Sequence, residues 1–139
     1  MNPSKLTNIS TSIFTVMSQL AQENNAINLA QGFPDFESDP RLIELVAKAM
    51  RDGYNQYAPM AGDIGLRKTI SNKTESLYKK SYNPQTGVTI TAGATQAIFT
   101  AIAATIHSGD EVLIFTPAYD CYEPTIRLFG GVPVSVQLK

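Results

Sequence analysis

The sequence predicts an α/β domain built on a mostly parallel sheet with helices on both faces. Three observations carry that expectation. From residue 88 onward, apolar runs and helical patterns alternate as strand, helix, strand, helix, strand. Within Glu111 to Phe115, four apolar residues follow one another (Val112, Leu113, Ile114, Phe115), the pattern of a strand buried on both faces. Between these, Val88 to Thr91 runs through a small-residue turn, Ala92-Gly93-Ala94-Thr95, straight into a helix.

The elements follow in order. Ser10-Thr11-Ser12 can cap a first helix carrying Ile13, Phe14, Val16, Met17, Leu20 and Ala21, ending at Asn24-Asn25. Ile27 to Ala30 is short and apolar. Gln31-Gly32-Phe33-Pro34-Asp35-Phe36 then forms an irregular loop, because Gly and Pro oppose regular structure. Asp39-Pro40 starts a second helix, with Asp as cap and Pro in the first position, and Leu42, Leu45, Val46, Ala49 and Met50 follow at helical spacing up to Gly53. Tyr54 to Met60 is a polar-aromatic loop. A third helix is expected from Asp63 to Lys80, with Leu66, Ile70 and Leu77 on one side and Asn83-Pro84 as its stop.

After the strand at 88–92, a fourth helix should bury Ala94, Ala97, Ile98, Ala101, Ile102 and Ile106. His107 to Asp110 turns the chain into the next strand. The loop Thr116 to Tyr119 opens a short helix that tolerates Pro124 in its first turn. Gly130-Gly131 ends it, and Val132, Val134 and Val136 alternate as a further strand. About three strands are a small sheet for so much preceding helix, so the expectation is an N-terminal fragment of a larger domain.

Composition narrows the function classes. The 139 residues are 43% hydrophobic and 17% charged, which fits one globular unit, and the net charge of −1 makes no electrostatic case for nucleic acid or an anionic membrane. No run approaches the roughly 18–20 apolar residues of a membrane span, and the N-terminus lacks a secretory leader pattern. Cys121 is the single cysteine, which rules out an internal disulfide and fits a cytoplasmic location. With His107 the single histidine, no Cys/His metal cluster can form, and no metal is expected.

The turn at Gly93, Ala94 and Thr95 is the informative motif. A helix start leaves N–H groups without intrahelical acceptors, and the helix dipole adds positive charge there, so a phosphate suits it. Gly93 and Ala94 allow close approach, and the Thr95 hydroxyl adds a donor. Small residues at such turns also serve close packing, and both readings stand on these residues alone. The Walker lysine and the GxGxxG fingerprint are missing.

Four motifs in order resemble one family. These are 26–36 (AINLAQGFPDF), 55–60 (NQYAPM), the Gly93-Ala94-Thr95 turn, and 117–124 (PAYDCYEP). Over essentially the whole chain they resemble the class I/II pyridoxal-phosphate-dependent aminotransferases of fold type I, and within them the bacterial methionine aminotransferase and kynurenine aminotransferase-like group. The resemblance implies an N-terminal arm and substrate lid over residues 1–40 and the beginning of the large cofactor-binding domain over 41–139.

It also implies roles. Gly93, Ala94 and Thr95 would cradle the phosphate of pyridoxal 5'-phosphate, and Tyr119 would stack on its ring. Tyr57 would reach the phosphate in the partner subunit, which requires a homodimer. Gly32 would let the backbone meet the substrate carboxylate, and Phe33 would line the substrate entrance. Read without the family, Gly32 is a turn glycine, Phe33 a loop core residue, and the two tyrosines half-buried aromatics. Gln96 departs from the family, which often has glutamate there, and a small effect on cofactor binding is expected.

The implied reaction moves an amino group between an amino acid, of methionine, aromatic or kynurenine type, and a 2-oxo acid. It needs a Schiff-base lysine, an acid for the pyridine nitrogen and an arginine for the substrate carboxylate. In the family all three come from beyond the stretch represented here, so no catalytic residue is expected in this chain. Lys5, Lys48, Lys68, Lys73, Lys79, Lys80 and Lys139 read as solvated, and Arg41, Arg51, Arg67 and Arg127 as helix-surface residues. Two alternatives remain: a free-standing phosphate- or nucleotide-binding α/β module, and one half of a split enzyme that pairs with a second chain.

Overall fold

The computed structural model describes residue 5, residues 11–32 and residues 34–139. Among them the order is α1 (Ile13–Glu23), α2 (Pro40–Arg51), α3 (Ile64–Tyr78), α4 (Ala94–Thr105), β1 (Glu111–Thr116), α5 (Tyr122–Leu128) and β2 (Val132–Gln137). They fall into two compact units. One joins the described residues up to 32 with 93–139, and the other spans 34–92.

In the first unit, Ser12 starts α1 by accepting from the Thr15 N–H at 3.3 Å, and Asn24 closes it. β1 and β2 pair in parallel, with Glu111 opposite Val132 and Thr116 opposite Gln137. The α5 crossover packs on both strands and on α4. Its Ile126 is 1% exposed, and Ile114 of β1 is 8% exposed. The Gly131 backbone lies against both Ile106 and Ile126. Phe99 of α4 meets Phe129 edge to face, with ring centroids 5.2 Å apart.

Three expectations for this part of the chain change. First, β1 is covered on one face only: Leu113 is 70% and Phe115 65% exposed. Side chains alternate along a strand, so one crossover helix can cover one set. No described element of this unit lies over the other. Second, residues 88–91 belong to no ladder among the described residues, and the sheet has two strands rather than three. A strand exists through its neighbour, and the Ile90 N–H is instead donated to the Ala61 carbonyl at 3.0 Å, within the second unit. Third, Ile98, Ile102 and Ile106 are half-buried, while Ala94, Ala97 and Ala101 are exposed. Among the described elements of this unit α4 packs against α5 alone, which covers a narrow stripe.

In the second unit, Asp39 caps α2 by accepting from the Arg41 N–H at 2.9 Å, with Pro40 in the first turn. Asp63 caps α3 by accepting from the Leu66 N–H at 3.0 Å. α3 ends at Lys79, which takes a left-handed conformation (φ 56°), so the stop comes before Asn83-Pro84. Its buried residues are Arg67 and Ser71, whereas Leu66 and Leu77 are exposed. Arg67 is therefore not a surface residue. Its Nη1 donates to the Pro84 and Gln85 carbonyls at 3.0 and 3.3 Å, and Ser71 Oγ donates to the Tyr82 carbonyl. A turn that carries its own unpaired carbonyls draws donors from the helix beside it, at the expense of the apolar stripe. No described helix is long and apolar enough to cross a membrane.

Candidate functional site

The start of α4 is built by Gly93. Its φ is +88°, a left-handed value that favours glycine, and nothing lies within 4 Å of where a Cβ would stand. Helices α1, α2 and α3 each turn a capping side chain, Ser12, Asp39 or Asp63, onto their own first N–H groups. The α4 cap supplies none, and the first intrahelical bond into Gly93 comes from Ala97 at 3.3 Å. Ala94 and Thr95 thus sit in the exposed first turn, at the positive end of the dipole.

At the carboxyl end of β1 a pocket of about 640 Å³ is lined by Ser12, Ile114, Thr116, Ala118, Tyr119 and Arg127, among others. Its position follows the rule that ligands bind beyond the carboxyl ends of parallel strands, and its size suits a small organic molecule. The Thr116–Pro117 peptide is cis. Tyr119 is half exposed, with its ring edge to face with Tyr122 at 6.1 Å, and its carbonyl accepts from the Tyr122 N–H at 3.2 Å. A second pocket of about 540 Å³ shares Tyr119 and Asp120 and is walled by Phe14, Thr15, Ser18 and Gln31. Tyr119 therefore stands between the strand end and the polar edge of α1.

The other candidates are placed as follows. Gly32, exposed and with open space at its Cβ position, follows the Gln31 that lines the second pocket. Phe33 lies outside the described residues. Gly93, Ala94 and Thr95 do not line either pocket beside Tyr119. Tyr57 belongs to the other unit, fully exposed on the loop between α2 and α3. Sequence reasoning missed Thr116 and Arg127 as pocket residues. Arg127 is paired with Glu123 at 2.8 Å, an i,i+4 spacing that the sequence displays but that reads as surface decoration. Among the described residues no group of three His, Cys, Asp or Glu side chains could hold a metal ion.

The Cys121 thiol, next to the pocket residue Asp120, is pushed above its usual range, first by burial and then by the Asp120 charge. Less thiolate is present near neutral pH, so iodoacetamide should alkylate Cys121 more slowly than a free cysteine. Asp120→Asn should recover part of the rate, because burial is the larger cause. A rate-against-pH profile centred on the ordinary cysteine range would contradict this.

A family model described as aminotransferase class I and II matches residues 24–139. The chain is 50% identical over 136 residues to the methionine aminotransferase of Escherichia coli strain K12, covering 98% of this chain and 35% of that protein. It is 34% identical over 139 residues to human kynurenine–oxoglutarate transaminase 3, covering 99% and 31%. A solved Escherichia coli structure identified with a methionine aminotransferase function superposes with a TM-score of 0.94 at 47% identity, over 100% of this chain and 36% of that one. The chain thus spans about a third of the length of the relatives it matches.

Proposed function

The chain belongs to the aminotransferase class I and II family, of fold type I, and we propose that it supplies the cofactor cradle and substrate lid of an enzyme exchanging an amino group between an amino acid and a 2-oxo acid. Members of this family use pyridoxal phosphate. When bound, that group supplies the electron sink for breaking bonds at the amino-bearing carbon. The described residues fit it. At the α4 start the cap residue turns no side chain onto the first N–H groups, at the positive end of the dipole, and Tyr119 presents a half-exposed ring to a pocket of suitable size.

In this reading the backbone N–H groups of Ala94 and Thr95 and the Thr95 hydroxyl hold the phosphate, and Gly93 lets it come close. Tyr119 covers one face of the ring and limits its tilt. Gly32 leaves its backbone open to the substrate carboxylate, and Phe33 lines the entrance. Tyr57 donates its hydroxyl to the phosphate bound by a partner copy, which makes the working enzyme a homodimer. Residues 1–40 act as arm and lid, and 41–139 open the large domain. The substrate side chain is apolar or aromatic, of methionine or kynurenine type. The enzyme works in the cytoplasm.

The observation that carries the reading is the start of α4, where Gly93 turns the chain without capping it. The test uses a protein of the family's full length that carries these residues. Thr95→Val should raise the Kd for pyridoxal phosphate about 10- to 100-fold, the worth of one hydrogen bond to a charged group. Its affinity for pyridoxal, which lacks the phosphate, should not change. Equal losses for both molecules, or none, would remove Thr95 from the cradle.

A further inference from the structure

We propose that Gly62 is a positioning residue for Tyr57, an inference that rests on the reading of Tyr57 as a phosphate contact. The Tyr57 side chain is fully exposed, so packing does not place it. Its position is set by the two ends of its loop. At the first end, the Tyr54 N–H is donated to the Ala49 carbonyl at 3.1 Å, and Asn55 Nδ2 to the Met50 carbonyl at 2.8 Å, both on the last turn of α2. At the second, the Gly62 N–H is donated to the Pro59 carbonyl at 2.7 Å, and the Ile90 N–H to the Ala61 carbonyl at 3.0 Å. Asp63 then caps α3.

Gly62 is what lets the second end seat. Its φ is +95°, and a Cβ there would stand 2.4 Å from Ile90 Cγ1 and 2.6 Å from Ile90 Cβ. The Cβ of Ile90 is fixed to the backbone, so no rotamer change relieves that overlap. Any side chain at 62 must push the loop off residue 90 and strain the adjacent Ala61–Ile90 hydrogen bond. The segment from 56 to 60 would then pivot about its α2 end and carry Tyr57 with it. Ile90 also stands three residues before Gly93 in the chain, so the residue that pins the tyrosine loop belongs to the segment leading into the phosphate cradle.

The test is a double-mutant cycle on pyridoxal phosphate binding in the family-length holoenzyme. Tyr57→Phe should raise the Kd about tenfold, the loss of one charge-assisted hydrogen bond. Gly62→Ala should raise it by a similar factor, and the double variant should be no weaker than the weaker single one. Affinity for pyridoxal should stay unchanged in all three. Multiplying effects, or an unchanged Kd for Gly62→Ala beside a weakened Tyr57→Phe, would overturn the role of Gly62 and leave that of Tyr57 standing. An unchanged Kd for Tyr57→Phe would remove the phosphate contact itself, and the proposal with it. Should Gly62→Ala not fold, Ile90→Ala loosens the same seat without a backbone clash. It should weaken binding about threefold in the parent and not at all beside Tyr57→Phe, and an equal loss in both backgrounds would overturn the proposal.

Discussion

The 139-residue chain, purified alone and supplied with pyridoxal phosphate, methionine and a 2-oxo acid, is expected to give no amino transfer above the rate of free cofactor. An amine attacks a carbonyl only as its free base, and enzymes secure that form by burying the lysine or setting it beside another cation. The seven lysines of this chain are all exposed. Lys48 is paired with Asp52, and Lys79 donates to the Ser76 carbonyl at 3.1 Å. None lines either pocket beside Tyr119. The arginines are also engaged. Arg41 pairs with Asp39 at 2.5 Å, Arg51 with Glu44 at 3.7 Å and Arg127 with Glu123 at 2.8 Å, while Arg67 is held by carbonyls. A chain without such a base should fall short of an enzymatic rate by about a millionfold or more. The family-length protein carrying the same residues should turn over under the same conditions. Turnover by the 139 residues alone would sink the expectation and point to one of the seven lysines, which single alanine substitutions would identify.

What could be read beforehand was local. Ser12, Asp39-Pro40 and Asp63 fix helix starts because a cap and the N–H it serves lie within three residues of each other. The turn at Gly93 was legible for the same reason, since positive φ and the missing cap belong to one residue. What could not be read depends on partners distant in sequence. Nothing near Arg67 announces that the carbonyls of Pro84 and Gln85 will draw it inward past Leu66. Nothing near Val88 to Thr91 says that the N–H of Ile90 will go to a loop carbonyl instead of a neighbouring strand. Only the resemblance carried by the four motifs singles out Tyr57, because a fully exposed tyrosine has no packing signature of its own. The sequence places Phe14 among the apolar residues of the first helix, and it lines a pocket with Tyr119, a contact set by how α1 lies and not by its periodicity.

Ile126→Ala in the family-length protein is expected to cost about 3 kcal/mol of stability, within the range for truncating a buried isoleucine. Ile126 and Ile114 are the buried apolar residues of the described chain, and Ile126 is the more enclosed at 1% exposure. It sits where α5 meets α4, β1 and β2, and the Gly131 backbone closes on it through an N–H donated to the Ile126 carbonyl at 3.0 Å. Backbone on that side cannot collapse into the void, so the cavity term stays nearly whole. Ile126→Val, which removes one methyl group, should cost about 1 kcal/mol. The check is the denaturant midpoint of the first unfolding transition for the three proteins, at constant cofactor concentration. A graded fall from Ile to Val to Ala is expected, and equal midpoints for Val and Ala would show that the site repacks. The effect should reach the ligand as well. α5 begins three residues after Tyr119, and the Tyr122 N–H ties its first turn to the Tyr119 carbonyl. A helix loosened at Ile126 lets that ring drift over the pocket. On the proposed role of Tyr119, pyridoxal phosphate should then leave Ile126→Ala faster than the parent well below the melting temperature, whereas unchanged dissociation would mean that Tyr119 is held by its own loop and not by α5, or that it does not cover the cofactor.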